Sequence, residues 1–595
     1  MPKKAITKIM KEDTRIFDVA IVGCGPRGLS ALESLFRQAA KNEVLPKVLV
    51  VEKSPYPGAG PVYDLDQADS NWLNVSRRAV GINNREKTVF ENFSIPDFPD
   101  FQEWSGYNAE PHSLTEVDEF PLRSELGKYL HERYNSIAGI LHSQGLLVYI
   151  NGEADIIRID EQSVVISILG GQSCLAREAA LCIGHQPIEL DGQMTMWLKR
   201  VQELDNCELY TQPYPVSRIT NTSTGLSNYT IAIRGFGLAM IDVVRALTID
   251  LDGKFEITDD KKRTMKYHAS GKEPRSIIPF SLDGLPMAPK PLNKEIDLLY
   301  IPSKDQLEDY GNAIFRRIEK AEARSTDFLI DAIAPIIADK FIAMDSMSIE
   351  HTLSRAEIEE IVSQWLRNDT FSHELLIPID MGALEAINRF IAMATGSGAV
   401  SLDYCIGHVW RHCQPTMYRI LSFAPLPDDL ICKIVALDER LKRYSYGPPV
   451  DSLQQLSELA DCGILDLSLV NNPEIELAEV GWTFELEGKT DNADIMINSV
   501  LDSPQLLKVQ SPIIKGILMN EAVAPIHDKL GARTEENGLM ISKNSENVVP
   551  VAMMGRLAKG TLIGVDAIAE CFGTRSVHWA KGVIDRKIQR DSTQV

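Results

Sequence analysis

Phe17-Asp18-Val19-Ala20-Ile21-Val22-Gly23-Cys24-Gly25-Pro26-Arg27-Gly28 is the stretch whose reading decides the fold. Its first six residues are short, mostly apolar and rich in β-branched side chains, the pattern of a strand buried in a parallel sheet. The glycines that follow have separate tasks. Gly23 makes the tight turn, Gly25 lets the backbone approach a pyrophosphate, and Gly28 lets helix and strand pack closely. Pro26 and Arg27 complete the turn, and Leu29 to Phe36 continues as a helix whose first N–H groups face the phosphates. A second strand, Lys47 to Val51, ends at Glu52, 24 residues beyond Gly28, where an acid can accept ribose hydroxyls. Strand, turn, helix, strand and acid in this order predict a dinucleotide site, which a glycine pattern alone would not.

Two further pieces specify FAD. Val164 to Leu169, followed by Ala179 to His185 with Gly184 near its end, reads as a hairpin strand and then the closing strand of an FAD domain. Near the C-terminus, Val549 to Met554 reads as a strand running into Gly555, with Thr561 to Asp566 entering a last helix. Flavoproteins with two dinucleotide domains return to the FAD domain in this way, placing that helix's N-terminus under the flavin pyrimidine. Asp566 is either part of that arrangement or a simple cap.

A second turn lies further along. Tyr229 to Arg234 is a short β-rich run, followed by Gly235-Phe236-Gly237-Leu238-Ala239-Met240 and an amphipathic stretch from Ile241 to Leu247. Met240 stands where a third glycine would, which affects only helix–strand packing. Gly235, Gly237 and Leu238 are therefore expected to bind NAD(P)H. Lys272 and Arg275 suit a 2′-phosphate, whereas Asp259 or Asp283 suits a free 2′-hydroxyl. The balance favours NADPH over NADH.

The expected fold class is α/β, with two Rossmann-like dinucleotide-binding domains (FAD and NAD(P)) and a large helical insertion. Residues 14–195 form the first part of the FAD-binding domain and 196–302 the first part of the NAD(P)-binding domain. Residues 303–447 form the insertion, 448–500 return to the NAD(P)-binding domain, and 501–590 complete the FAD-binding domain. In the insertion, Leu307 to Ala323, Asp327 to Ala343, Arg355 to Trp365 and Gly382 to Ala394 carry apolar residues at helical spacing. It either covers the flavin's reactive edge or forms the face of a homodimer. After Pro448 the chain reads as loop-rich, with strands at Trp482 to Leu486 and Ala493 to Asn498 rejoining the nucleotide sheets. Cys405, His408 and His412 share a helical face with Cys413 beside it. With no acid following and no paired ligands elsewhere, they read as helix packing, and no metal is expected. Arg411 and His412 are candidate partners for a carboxylate substrate.

Composition narrows the function classes. The chain has 595 residues, too many for one core, with 44% hydrophobic and 24% charged residues as in ordinary globular proteins. A net charge of −22, from 61 basic and 83 acidic residues, repels nucleic acid and anionic membranes. Met1 to Asp13 carries lysines but no apolar core and reads as a loose tail. No apolar run approaches the roughly 18 to 20 residues of a membrane span, so a cytoplasmic location is expected. Nine cysteines include no C-x-x-C pair, and none lies between Cys24 and Cys174. Flavin disulfide reductases need such a pair, so that class is disfavoured.

With these pieces in place, the chain resembles the bacterial FAD/NAD(P)-binding monooxygenases that include aspartate N-oxygenases (nitrosuccinate-forming) and an FAD-dependent urate hydroxylase. The matching segments are G-C-G-P-R-G-L-S at 23–30, G-A-G-P-V-Y at 58–63 and N-W-L-N-V at 71–75. Further matches are F-P-L-R-S-E-L-G-K-Y-L at 120–130, G-F-G-L-A-M-I-D at 235–242, Y-H-A-S-G-K-E-P at 267–274 and G-R-L-A-K-G-T-L-I-G-V-D at 555–566. The large helical insertion makes the chain more similar to the aspartate enzymes. A Ser-Arg-x-Gly-Leu-Pro pattern of the relatives is here Ser281-Leu282-Asp283-Gly284-Leu285-Pro286, so the arginine is missing and coenzyme preference does not carry over. The resemblance implies that Asn74 and Arg123 lie against FAD. It also implies an NAD(P)H-consuming monooxygenase that uses dioxygen and a flavin hydroperoxide to N-oxygenate the amine of a small substrate, such as aspartate. The alternatives are a ring hydroxylase of urate or a similar heterocycle, and a non-catalytic nucleotide-binding or redox-sensing flavoprotein. No catalytic side chain is assigned, because the cofactor carries the chemistry.

Overall fold

The computed structural model describes residues 16–593 apart from 108–112, 161–162, 205–206, 222–224, 520–522 and 543–547. The lysine-bearing start, Met1 to Asp13, lies outside the described residues. The quoted stretch forms β1 (Ile16–Val22), the glycine turn and the helix α1 (Pro26–Lys41), and β2 is Val48–Glu52. Val19 to Ile21 are fully buried, as expected of a central parallel strand covered on both faces. The parallel order across the sheet is Leu147–Asn151, β2, β1, Gln172–Leu181 and Val548–Met553, with Leu539–Ile541 added antiparallel at the edge. Ala154–Asp160 and Ser163–Ile168 form the hairpin that leads into Gln172–Leu181. The C-terminal helix Thr574–Thr593 packs along α1, with Trp579, Val583 and Ile584 fully buried in the same core as Leu29, Leu32 and Phe36.

A second, all-parallel sheet runs Ser276–Phe280, Thr230–Arg234, Ile495–Asn498, Glu208–Tyr210. The helix Leu238–Ala246 follows its glycine turn. Between two strands of this second sheet, Ser276–Phe280 and Ile495–Asn498, the helices Lys304–Glu319, Asp327–Ala343, Arg355–Arg367, Ala383–Ala394, Leu402–Leu421 and Asp428–Ser445 pack into one apolar core. The first four lie on the runs that three- and four-residue periodicity marked; Leu402–Leu421 and Asp428–Ser445 extend the helical stretch beyond them.

Two expectations are corrected after Pro448. Val450–Asp461 is a helix rather than loop. The prolines at 448 and 449 open it instead of breaking it, because a proline lacks only an N–H that the first turn leaves unpaired in any case. Gly481–Leu486 does not rejoin a nucleotide sheet. It is the middle strand of a separate antiparallel sheet with Glu474–Ala478 and Lys489–Ala493. The run from Ala493 to Asn498 splits at Asp494, and only Ile495–Asn498 enters the parallel sheet. All nine cysteines are free thiols. Cys405, His408 and Cys413 are buried in helical packing, with the His408 ring centroid 4.3 Å from that of Tyr404. Among the described residues, no group of three or more His, Cys, Asp or Glu is placed to hold a metal ion, and no helix is long and apolar enough to cross a membrane.

Candidate functional site

The three glycines of the first turn are held by different constraints. Gly23 has φ +84°, and a Cβ there would lie 2.6 Å from the Cys182 carbonyl oxygen. A Cβ on Gly28 would lie 2.4 Å from the Gly23 carbonyl oxygen, so helix and strand could not approach as they do. Gly25 is different: its nearest neighbour is Gly60 Cα at 3.5 Å, an ordinary contact. Packing does not demand glycine at 25. Glycine there leaves the backbone bare, as close approach of a pyrophosphate requires. Gly60, at φ +67°, comes from the 58–63 segment, so two glycines meet face to face beside the N-terminus of α1.

Glu52 is buried at the end of β2, where it accepts hydrogen bonds from the Cys24 N–H (2.5 Å) and the Ser54 N–H (2.7 Å). It therefore ties the turn to the second strand. Arg27 donates to the Val565 carbonyl (2.9 Å) and the Glu570 carbonyl (3.4 Å), drawing the C-terminal segment onto the turn. Gly555 lies against the same side chain: a Cβ there would be 3.2 Å from Arg27 Nε. Gly184, at φ +65°, follows the closing strand.

At the second turn, Gly235 has φ +113°, and a Cβ would meet Ser499 Oγ at 2.6 Å. Gly237 begins the helix Leu238–Ala246, and a Cβ there would have only Met287 Sδ, at 3.8 Å, within reach. Met240, at the third-glycine position, is buried in the core of this unit.

Both turns border one cavity of about 2220 Å³. That is more than twice the upper end of the roughly 300–1,000 Å³ usual for a single-ligand pocket. Arg27, Asn74, Arg123 and His185 line it from the first unit, and Gly235, Gly237 and Leu238 from the second. Arg411, Tyr418, Lys442 and Tyr446 contribute from the helices, and Gly564 and Asp566 from the C-terminal return. Two glycine cradles that no Cβ fills, each at a helix N-terminus, suit two pyrophosphates.

Other residues singled out in the sequence fall as follows. The Asn74 side chain donates to the Tyr446 carbonyl (3.0 Å), and its own carbonyl accepts from Lys290. Arg123 is not a free phosphate ligand. Its guanidinium donates to Asp242 (2.6 Å), to the Tyr214 hydroxyl (3.3 Å) and to the Trp72 carbonyl (3.2 Å), binding the 71–75 segment to the second helix. Asp566 does not cap a helix. It lies between Arg556 (2.6 Å), Lys442 (2.5 Å) and Lys559 (2.7 Å), two residues before the short helix Ile568–Cys571. These cations hold its carboxyl well below the ordinary value despite burial. Its contribution to stability is complete above the ordinary carboxylate value near 3.8 and is lost as pH falls through the lowered native one. Asp566→Asn is expected to destabilise by about 1–3 kcal/mol at pH 7, a deficit that shrinks below pH 4. Urea unfolding at both pH values checks this.

Arg411 lines the cavity; His412 does not. Both donate to Asp297, Arg411 as an ion pair and His412 at 3.1 Å. The four residues expected to select the coenzyme do not line the cavity and are engaged elsewhere. Lys272 pairs with Asp252, Arg275 donates to Thr230 Oγ1 (2.7 Å), Asp283 pairs with Arg443, and Asp259 accepts from the Lys261 N–H (2.8 Å) in its own turn. Sequence reasoning missed two cavity groups, His185 and Lys290. Burial, with Arg556 and Lys442 nearby, pushes the His185 pKa down to about 4, so its imidazole is neutral at pH 7. The only sequence sign of His185 was its place directly after Gly184 at the end of the closing strand.

Two glycine-turn sheets opening on a shared cavity have the architecture of a protein with two dinucleotide-binding folds. Residues 20–186 match the family model described as FAD-NAD(P)-binding. The chain is 29% identical to the nitrosuccinic acid synthase of Aspergillus oryzae over 562 residues, 85% of this chain and 82% of the relative. It is 26% identical to the L-aspartate N-monooxygenase (nitrosuccinate-forming) of Streptomyces cremeus over 289 residues, 44% of this chain and 41% of that one. A solved structure of an ornithine N-hydroxylase from Kutzneria sp. 744 aligns with 96% of this chain and 100% of its own, at 12% identity and a TM-score of 0.44. Residues 20–186 are thus similar to FAD-NAD(P)-binding domains, and the chain is similar along most of its length to a nitrosuccinate-forming enzyme, the likeness that its motifs implied.

Proposed function

We propose that this chain is an FAD-dependent, NAD(P)H-consuming monooxygenase that N-oxygenates the amine of a small acidic amino acid such as aspartate. The observation that carries the reading is the shared cavity, reached by Arg27 of the first glycine turn and by Gly235 and Gly237 of the second, and lined on another side by the helical unit. The names of the two homologues supply the reaction type and the substrate class. Gly23, Gly25, Gly28 and Glu52 would hold FAD, and Gly235, Gly237 and Leu238 would hold the coenzyme. FAD, when bound and reduced, supplies the oxygen-activating chemistry. The chain's own residues supply the walls: the two sheets, the helices and the C-terminal return all line the cavity in which the reacting groups would meet. Neutral His185 and the ion-paired cluster of Arg556, Lys442 and Asp566 set its polarity at the C-terminal return. The same proposal places the enzyme in the cytoplasm, acting on a small molecule and dioxygen.

The test follows NADPH and NADH consumption by the FAD-loaded protein across amino acids and heterocycles, with products and peroxide measured. L-aspartate is expected to stimulate consumption and yield an N-oxygenated product. A ring-oxidised heterocycle, or coenzyme oxidation that gives only peroxide whatever is added, overturns the proposal.

A further inference from the structure

We infer that Lys290, together with Arg411, receives a carboxylate of the substrate inside the cavity. This deepens the proposed function by naming the residues that read the acid. It rests on that reading for what is oxidised, although not for what is bound.

Lys290 lines the cavity on a segment whose backbone is fixed by its N–H donating to the Pro448 carbonyl (3.0 Å). Its ammonium makes one hydrogen bond, to the Asn74 carbonyl. Among the described residues, no carboxylate lies within ion-pair distance of it. An ammonium has three N–H groups, so two remain for a ligand. Arg411, on the helix Leu402–Leu421, lines the same cavity and has a similar vacancy: its Nε is buried with no hydrogen-bond partner.

The neighbouring acids cannot fill these positions. Asp297 already accepts from Arg78 (3.1 Å), Arg411 and His412 (3.1 Å). Asp118 is taken two-pronged by Arg78, at 2.6 and 2.7 Å. The groups around Lys290 are thus the cations Arg78 and Arg411 and the carboxylates Asp118 and Asp297, with His412 held neutral by burial. With Lys290 protonated, three positive charges face two negative ones, and one incoming carboxylate balances them. A carboxylate entering the cavity can accept from the Lys290 ammonium as a charge-assisted bond, with the Arg411 guanidinium on the same lining adding its charge. Without that anion the excess charge weighs on the lysine. Burial and Arg411 push its pKa down to about 7, against the pull of Asp297 and Asp118.

The rival account is that Lys290 only braces the Asn74 segment. A carboxylate site makes anion binding proton-linked, full below a pKa of about 7 and lost above it; a brace does not. The probe is succinate, which carries carboxylates but no oxidisable amine, titrated calorimetrically into the FAD-loaded full chain. Wild-type affinity is expected to fall about five-fold from pH 7 to pH 8, as the protonated fraction drops from roughly one half to one eleventh. Lys290→Met is expected to weaken binding at pH 7 by about 10- to 100-fold, the range for a lost charged hydrogen bond. Lys290→Arg, which stays charged, is expected to keep most of the affinity and to lose the pH dependence. The inference is overturned if wild type binds succinate no better than succinamide, if Lys290→Met binds it normally, or if Lys290→Arg keeps the wild-type pH profile. Should Lys290→Met fail to fold, the arginine variant's profile decides. Succinate binding as expected without aspartate turnover would sink the proposed function and leave this site standing.

Discussion

The Gly23→Ala protein is expected to purify without flavin colour. At φ +84° an L-residue is strained, by roughly 1–2 kcal/mol, but that is the smaller effect. The added methyl would lie 2.6 Å from the Cys182 carbonyl oxygen, which is backbone and cannot swing aside as a flexible side chain could. Cys182 is itself anchored, its N–H donating to the Val22 carbonyl (2.8 Å). The turn must therefore open and carry the N-terminus of α1 with it, so that the N–H groups no longer converge on a phosphate. We expect FAD affinity to fall by at least about 100-fold, equivalent to about 3 kcal/mol. Gly25→Ala is the informative partner. Its methyl meets nothing nearer than Gly60 Cα at 3.5 Å, so that variant should melt like wild type. It is expected to lose FAD all the same, because a pyrophosphate cradled by this turn needs the bare backbone that glycine gives. Flavin absorbance after purification, fluorescence titration and melting curves measure both. A yellow Gly23→Ala protein of unchanged affinity would remove this turn from the flavin site.

Glu33→Ala should cause the largest loss of stability. Glu33 is buried on α1, where Arg133 grips both carboxylate oxygens at 2.8 Å and Arg85 donates at 3.1 Å. Both arginines are only 2% exposed, and burial pushes the Arg85 pKa down. Taking away the acid leaves two buried like charges whose remaining partners are neutral. Breaking a buried pair from one side typically costs about 3–5 kcal/mol, a large part of the roughly 5–15 kcal/mol that holds a domain together. Tm is expected to fall on the order of 10 °C. Thermal and urea unfolding test it, and a change below about 1 kcal/mol would show that the network relaxes freely.

How much of this was legible in the chain depends on range. Both glycine turns, their strands and the helical stretch were readable because each is a local pattern: positive φ, β-branched runs, periods of three and four. Val450–Asp461 was misread because two prolines mark a helix start as readily as a break. Gly481–Leu486 was assigned to the wrong sheet because alternation within six residues does not reveal which strands lie beside it. The engagement of Arg123 with Asp242 joins residues 119 apart, and nothing near Arg123 announces it. Lys290 left even less trace. An isolated lysine after a proline-rich run reads as surface until the fold encloses it.

The strand Val548–Met553 pairs with Gln172–Leu181, and the helix Thr574–Thr593 covers α1. During synthesis, the first nucleotide fold therefore waits for the last segment of chain to be made. A ribosome that stopped before residue 539 would release a polypeptide with both glycine turns and every helix of the insertion, yet with a bare sheet edge and an uncovered α1. Such a product would stick to others of its kind through that edge. Flavin added during expression should act late, by selecting finished chains, and fusions that crowd the C-terminus should lower the yield of yellow protein more than fusions at the start.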